Sequence, residues 1–385
     1  MVKPKFISNI NKLPYLSEHE KRSLDEVTRH FVFRANTYYL DLINWKDPSD
    51  PIRKLIVPNV SELEPWGYLD PSYEHSYTVI PGVQHKYPST ALLLVSKVCG
   101  GICRYCFRKR LFLGRQSDIL RDFPAALDYI RNHSEITNVL LTGGDPLMLP
   151  TRKLDNYLEG LFMVPHVRVV RIGTKMLSFN PYRVIEDPSL VEAIKRHTQK
   201  DKKIYVVVHF THPKEFTVEA ARAVAMLQSA GAILINQCPL ICGVNDTPDD
   251  LADLFQTMAS AGVPPYYVFQ CRPAVGNKPY AVPIEEGYEI FEAAKARVSG
   301  LAKRARYVMS HHTGKVEIVG RTGEFVFFKY HRAANEEDSG RFFIARRNPT
   351  AYWLDDYDQI VDDYVLDLFL TQYSRSQGAT YHQAM

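Results

Sequence analysis

No apolar stretch of this sequence approaches the ~20 residues that a helix needs to cross a bilayer, so no membrane-spanning function is expected. The opening Met1-Val-Lys-Pro-Lys5 lacks the apolar core of a secretory leader, so the chain is expected to stay in the cytoplasm. Charge of one sign is also scarce: 47 Lys and Arg stand against 43 Asp and Glu, a net +4 over 385 residues. So small an excess, spread along the chain, offers no footing for a nucleic-acid partner. Repeats and low-complexity tracts are absent, which leaves one large globular core with appendages as the expectation. Cysteine is sparse too, with six in all, and no second C-x2-C pair accompanies the single one present. Structural zinc usually draws on two such pairs.

What the sequence does hold is Cys99-Gly-Gly-Ile-Cys103-Arg-Tyr-Cys106, a C-x3-C-x2-C run directly after the apolar Thr90-Ala-Leu-Leu-Leu-Val-Ser96. Three thiolates on a loop with two glycines suit a soft metal centre better than a disulfide. A [4Fe–4S] cluster ordinarily takes four cysteines, so three would leave one iron open to chelate a small molecule. A zinc site or three unrelated buried thiols are the alternatives at this point. Cys238, Cys242 and Cys271 complete the six, a usage that fits a reducing compartment.

Around this motif the chain alternates short apolar runs with helical patterns, the mark of a parallel α/β sheet with crossover helices. Strands are expected at 91–95, 138–141, 167–172, 204–209, 233–237 and 266–271, and helices at 118–131, 153–162, 189–197, 218–228 and 248–261. Six strands are too few for a closed eight-stranded barrel. Residues 1–88 read as an N-terminal helical and irregular cover. Ser17 and Glu20 form a capping box there, Phe31, Phe33, Tyr38, Tyr39 and Leu42 supply bulk, and recurrent prolines from Asp47-Pro-Ser-Asp-Pro51 onward end the helical region. Residues 89–310 form the α/β unit. Residues 311–385 form a C-terminal α+β extension, with short strands at 316–319, 324–330 and 341–344. An amphipathic helix over 357–373 would bury Ile360, Val361, Tyr364, Val365 and Leu368. Chemistry in such folds gathers at the C-terminal strand ends. There the chain places Gly143-Gly-Asp145 after the second strand, His209 and His212 after the fourth, and Asn236 and Gln237 on the fifth.

The cysteine spacing resembles that of the radical S-adenosylmethionine (SAM) superfamily, and the residues around it narrow the resemblance. Cys106-Phe-Arg-Lys-Arg110, Leu141-Thr-Gly-Gly-Asp-Pro-Leu147, Val169-Val-Arg-Ile-Gly173, His209-Phe-Thr-His212, Asn236-Gln237, Gly243-Val-Asn-Asp246 and Tyr266-Tyr-Val-Phe-Gln-Cys271 are similar, in order, to the lysine 2,3-aminomutase family. The similarity runs from about residue 10 to residue 315. It implies a partial (β/α)6 barrel and a [4Fe–4S] cluster on Cys99, Cys103 and Cys106 whose open iron takes the amino and carboxylate groups of SAM. An electron from a donor such as flavodoxin or ferredoxin would then release a 5′-deoxyadenosyl radical. Gly143, Gly144 and Asp145 would meet SAM's amino group, with His209 and Gln237 near the cofactors. The family also carries pyridoxal 5′-phosphate (PLP) as a Schiff base on a lysine, matched here by Lys315 after Gly314.

Several positions depart from the family. Its basic-Tyr-Pro-x-Arg run for the PLP phosphate is Lys86-Tyr87-Pro88-Ser89-Thr90, so Lys86 and Tyr87 match and threonine stands for the second arginine. His311 and His312 occupy a shortened loop where glycines are expected. Arg108 matches the arginine that binds the substrate carboxylate, whereas the two aspartates that grip lysine's far ammonium are Arg272 and Ser310 here. A cation in place of an anion repels a lysine side chain. The resemblance therefore implies a homo-oligomeric 2,3-aminomutase that acts on a small amino acid, with free lysine disfavoured and an acidic substrate suited to Arg272, unless Arg272 pairs with Glu285 or Glu286. The alternatives are a PLP-independent radical SAM enzyme that dehydrogenates or epimerises an amino acid or peptide, an aminomutase for a lysine of elongation factor P, and a non-catalytic iron–sulfur protein that binds SAM. Arg272 and the C-terminal extension stand against the elongation-factor reading.

Overall fold

Apolar runs and amphipathic helices alternate to build one continuous sheet in the computed structural model, which describes residues 4–113, 118–357 and the two-residue strand Ile360–Val361. Seven neighbouring strands run parallel: β1 (Thr90–Ser96), β2 (Asn138–Gly143), β3 (Val169–Thr174), β4 (Lys203–Val208), β5 (Ile233–Pro239), β6 (Pro265–Phe269) and β7 (Arg306–His311). Between them run the crossover helices Phe123–Arg131, Thr151–Phe162, Pro188–His197, Val218–Ser229, Pro248–Ser260 and Ile284–Ala296. Their apolar residues, among them Leu154, Leu158, Ile194, Leu227 and Phe255, pack with strand residues such as Val139, Leu141, Val170 and Ile172 in one core. Among the described residues the strand order is linear and its two ends do not pair, so the barrel is open, as expected.

Sequence patterning anticipates six parallel strands, and β7 makes a seventh. It escapes the pattern along with the helix Ile284–Ala296 that leads into it, because Gly287 interrupts the helical signal. From β7 the sheet continues antiparallel through β8 (Gly314–Arg321), β9 (Phe325–Ala333) and β10 (Phe342–Arg346). These strands are longer than the hairpin expected from sequence. Where β8 meets β9, Lys315 opposes Arg332 but Val316 opposes Tyr330, so His331 is an extra, unopposed residue. Residues Ile360–Val361, inside the stretch expected as a terminal helix, pair with β10 as a strand; the rest of that stretch beyond Val361 lies outside the described residues.

The N-terminal cover begins as the sequence implies. Ser17 accepts from the Glu20 amide at 3.2 Å, and the Glu20 carboxylate accepts from the Ser17 amide at 2.9 Å, closing the capping box of helix Glu18–His30. Ser17→Ala should cost about 1 kcal/mol of local stability, measurable as faster amide exchange confined to that helix. The stretch after Asp47 is more regular than its prolines suggest. Asp50 caps a helix, Pro51–Ile56, with Pro51 at the first helical position, where its fixed φ is an advantage. Strands Thr78–Ile80 and Val83–Tyr87 then pair antiparallel and join the edge of β1. A second apolar cluster joins Leu13, Phe33, Tyr39, Leu55 and Ile56 of this cover to Phe179, Ile241 and Tyr280 from loops beyond the strand ends. Each large side chain buried there contributes roughly 1.5–3 kcal/mol, enough to hold the cover over the mouth of the barrel.

Candidate active site

A cavity of about 330 Å³ opens along the inner face and C-terminal ends of the parallel strands. Lys86, Tyr87, Cys99, Cys103, Cys106, Arg108, Gly143, Gly144, Asp145, His209, Gln237, Arg272, Ser310 and Lys315 all line it. The fold thus brings these fourteen residues to one cavity, but not His212 and Asn236, which were also expected there.

The cysteine loop is fixed from both sides by the cover. Arg34 Nε donates to the Cys99 carbonyl at 2.9 Å, the Ile102 amide donates to the Arg34 carbonyl at 2.8 Å, and Asn36 Nδ2 donates to the Gly100 and Phe179 carbonyls at 2.9 and 2.8 Å. Behind the loop Arg104 is fully buried against Glu62, at 3.0 and 2.6 Å, and Tyr280 donates to the same carboxylate at 2.9 Å. All six cysteines are free thiols. Burial pushes the three clustered ones upward, Cys103 to about 12, so they await a cation to deprotonate them. Among the described residues, the trios of potential ligands whose donor atoms lie within 4.8 Å of one another are His85, His133, Glu135 and His311, His312, Asp355, and the cysteines are not among them. One zinc, with Zn–S near 2.3 Å, needs sulfurs within about 4.6 Å of each other. Three thiols spread more widely around one cavity fit a multi-iron cluster instead.

The end of β2 presses against this loop. Gly143 has φ +118°, and a Cβ there would stand 2.5 Å from the Ser96 carbonyl oxygen; at Gly144 it would stand 2.6 Å from that of Val98. Both positions therefore require glycine, and the chain keeps backbone open beside the cysteines. Asp145 behaves differently from the expected free carboxylate. Its oxygens accept from Thr174 Oγ1 at 2.8 and 2.9 Å, from the Lys175 amide at 2.8 Å and from the Leu147 amide at 2.9 Å. It ties the loops after β2 and β3 together, and burial raises its pKa to about 6.

His209 is half-buried beside Gln237, whose amide nitrogen lies 3.1 Å from Nε2. Burial and the neighbouring Lys175 push the imidazole down to about 3, so it is neutral and, with the Gln237 amide donating, accepts at Nε2. Asn236 and His212 do not face the cavity, contrary to expectation. Successive strand residues point to opposite faces, so Asn236 is turned away from Gln237's side and braces the Phe210 backbone at 2.9 and 3.1 Å. His212 caps the short helix Pro213–Glu215 and lies 3.8 Å from Asp250.

Seven cationic side chains line the cavity against two carboxylates, Glu74 and Asp145. Lys315 sits on β8, not in a loop, with Nζ 4.8 and 4.7 Å from the ring centres of Tyr267 and Phe269. Burial and the nearby Arg272, Arg171, Arg332 and Lys86 hold its pKa well below the usual lysine range. The shortened loop before it is a two-residue hairpin turn, His312-Thr313, with His311 paired to Gly314 and its Nε2 3.1 Å from Asp355. Lys86 Nζ donates to the His311 carbonyl at 2.6 Å, and burial lowers that lysine to about 7.

The two arginines expected at the substrate differ. Arg108 is already matched: its Nε and Nη2 donate to Glu74 Oε1 at 3.0 and 2.7 Å and its Nη1 to Thr142 at 3.2 Å. Arg108 still lines the cavity, with two of its five N–H donors not used by these bonds, and Glu74 also accepts from Arg110. Arg272 is stacked on Phe107 at 3.6 Å and donates to Ser72 Oγ at 2.8 Å. Glu285 is taken by Arg347 at 2.6 Å and by the Asn348 amide at 2.9 Å, so it is no partner for Arg272. Burial lowers Arg272 to about 10, which leaves it charged. Ser310 lies opposite Lys315 across β7 and β8. Arg171, Lys175 and Arg332 were not singled out as site residues from sequence; Arg171 and Lys175 come from β3 and its end, where Arg171 sits inside the Val169–Gly173 motif, and Arg332 comes from β9, where no local motif marks it.

No family model matches the chain. It is 53% identical over 363 residues to a protein of Aquifex aeolicus named "Putative L-lysine 2,3-aminomutase", covering 94% of this chain and 97% of the relative. To the L-lysine 2,3-aminomutase of Clostridium subterminale it is 34% identical, covering 76% of this chain and 70% of that one. To the glutamate 2,3-aminomutase of Clostridioides difficile it is 33% identical, covering 77% and 69%.

Proposed function

Because this chain belongs to the lysine 2,3-aminomutase family of radical SAM enzymes, we propose that it moves the α-amino group of an amino acid with an acidic side chain to the β carbon, with PLP carried on Lys315. The family brings a [4Fe–4S] cluster and SAM. The observation that carries the substrate class is Arg272, a half-buried cavity guanidinium with a hydroxyl and an aromatic face for company, while both cavity carboxylates are already engaged. A partly buried charge without a counter-ion is costly, and a substrate carboxylate supplies the missing partner. The names of the relatives lean the other way, since the 53% identical one is named for lysine while a lysine- and a glutamate-named member stand level at 34% and 33%, so the reading rests on Arg272.

In this reading Cys99, Cys103 and Cys106 would hold three irons, Gly143 and Gly144 leave room for SAM against the backbone, and Lys315, whose ammonium form burial disfavours, would carry PLP. When bound, these groups supply a carbon radical for hydrogen abstraction and a carrier for the migrating nitrogen. Tyr267 and Phe269 shield the Lys315 amine from water, and the N-terminal cover closes the cysteine loop from solvent. We assign residues 1–88 to that cover, 89–310 to the cluster and SAM barrel, and 311–385 to the extension that carries the PLP lysine. No helix among the described residues is long and apolar enough to cross a membrane. A cytoplasmic one-electron donor such as flavodoxin or ferredoxin would reduce the cluster.

The test is anaerobic reconstitution with iron, sulfide and PLP, borohydride reduction and peptide mapping, followed by turnover of a panel of acidic, neutral and basic α-amino acids. Iron–sulfur absorption, a pyridoxyl adduct on Lys315 and a β-amino product from a dicarboxylic amino acid are expected. Preferential turnover of lysine would overturn the substrate class, and SAM cleavage without an adduct would overturn the role of PLP.

A further inference from the structure

Threonine stands at position 90, where the family's phosphate run has its second arginine. A different arginine occupies that place in space. Arg332 Nη2 donates to Ser89 Oγ and Thr90 Oγ1, each at 3.2 Å, and its Cζ lies 4.2 Å from the centre of the Tyr87 ring. It arrives from β9, 242 residues further along the chain.

The bulge at His331 is what aims it there. Phe328 and Tyr330 point into the apolar core, and strict alternation would send residue 332 the same way. The extra residue reverses the face, so Arg332 stands directly opposite Lys315 and both line the cavity. Neither cavity carboxylate is its partner: Glu74 is held by Arg108 and Arg110, and Asp145 by Thr174 and the Lys175 and Leu147 amides. A cation re-aimed by a bulge and seated on hydroxyls and an aromatic face is placed for an anion.

We infer that Arg332 binds the phosphate monoester of the PLP carried by Lys315, replacing the arginine absent from position 90. The inference rests on the assignment of PLP to Lys315. A guanidinium presents parallel N–H donors that match phosphate oxygens, and stacking on Tyr87 fixes its plane. Because Lys315 and Arg332 are cross-strand partners, the backbone sets the separation between the amine and the phosphate donor.

The experiment titrates the full-length, cluster-reconstituted protein with PLP and, separately, with pyridoxal, which has the aldehyde but no phosphate. Absorbance and fluorescence follow binding, and borohydride trapping maps the adduct. Arg332→Gln is expected to weaken PLP by roughly 10- to 100-fold and pyridoxal far less, since only the loss of one cation facing Lys315 acts on the latter, while iron–sulfur absorption is unchanged. Thr90→Arg added to Arg332→Gln puts an arginine back at the family's position and is expected to recover most of the loss, which also excludes misfolding as its cause. Undiminished PLP affinity in Arg332→Gln, or equal weakening of PLP and pyridoxal, overturns the assignment. A wild-type protein that traps neither aldehyde on Lys315 is a separate result, which removes the cofactor reading and this inference with it.

Discussion

Lys315→Ala is expected to abolish the borohydride-trapped pyridoxyl adduct and to lower aminomutase turnover by a factor on the order of 10⁴, while iron–sulfur absorption and reductive SAM cleavage persist. The separation follows from geometry. Lys315 lies on β8, and its ammonium form is disfavoured by burial and by the facing Arg272, Arg171, Arg332 and Lys86. The cysteines lie on the loop after β1 and depend on the N-terminal cover. The depressed pKa also gives a pH signature. The reactive amine is the unprotonated form, so condensation with PLP should rise with pH and level off well below 10.5. Removing one facing cation, as in Arg171→Gln, should shift that midpoint upward. A trapped adduct on Lys86, the other lysine of the cavity with a lowered pKa, would sink the assignment.

Arg272→Asp is the second large effect. A buried, hydrogen-bonded charge pair that loses one partner costs about 2–5 kcal/mol, so kcat/KM for a dicarboxylic amino acid should fall roughly 30- to 4,000-fold. A diamino acid should gain, because the new carboxylate would pair with its far ammonium. Arg272→Gln separates lost attraction from added repulsion: it should weaken the acidic substrate without favouring the basic one. An unchanged substrate profile in both variants would show that Arg272 holds only Ser72 and Phe107. The expected loss is larger than for Arg332→Gln, since the Arg332 site retains Lys86 and the hydroxyls of Ser89 and Thr90.

The sequence alone was enough for those features whose physical cause is local. The C-x3-C-x2-C spacing, the glycines at the end of β2, the Ser17 capping box and the alternation of apolar runs with amphipathic helices each state their geometry within a few residues. The open parallel barrel and the gathering of fourteen residues around one cavity follow from them, because parallel strands must share an end. Other features depended on contacts between distant segments. Arg108 looks free in sequence, yet Glu74, 34 residues earlier, claims it through the N-terminal cover. Asp145 looks available and is consumed by Thr174 on β3. Asn236 and Gln237 look equivalent until the pleat turns them to opposite faces. Arg332 looks like a core-facing strand position until one unopposed residue reverses it. Local pattern determines where the chain places its chemistry, and tertiary structure decides which charges remain unpaired. Ion pairing and strand register are settled only when segments far apart in the chain meet.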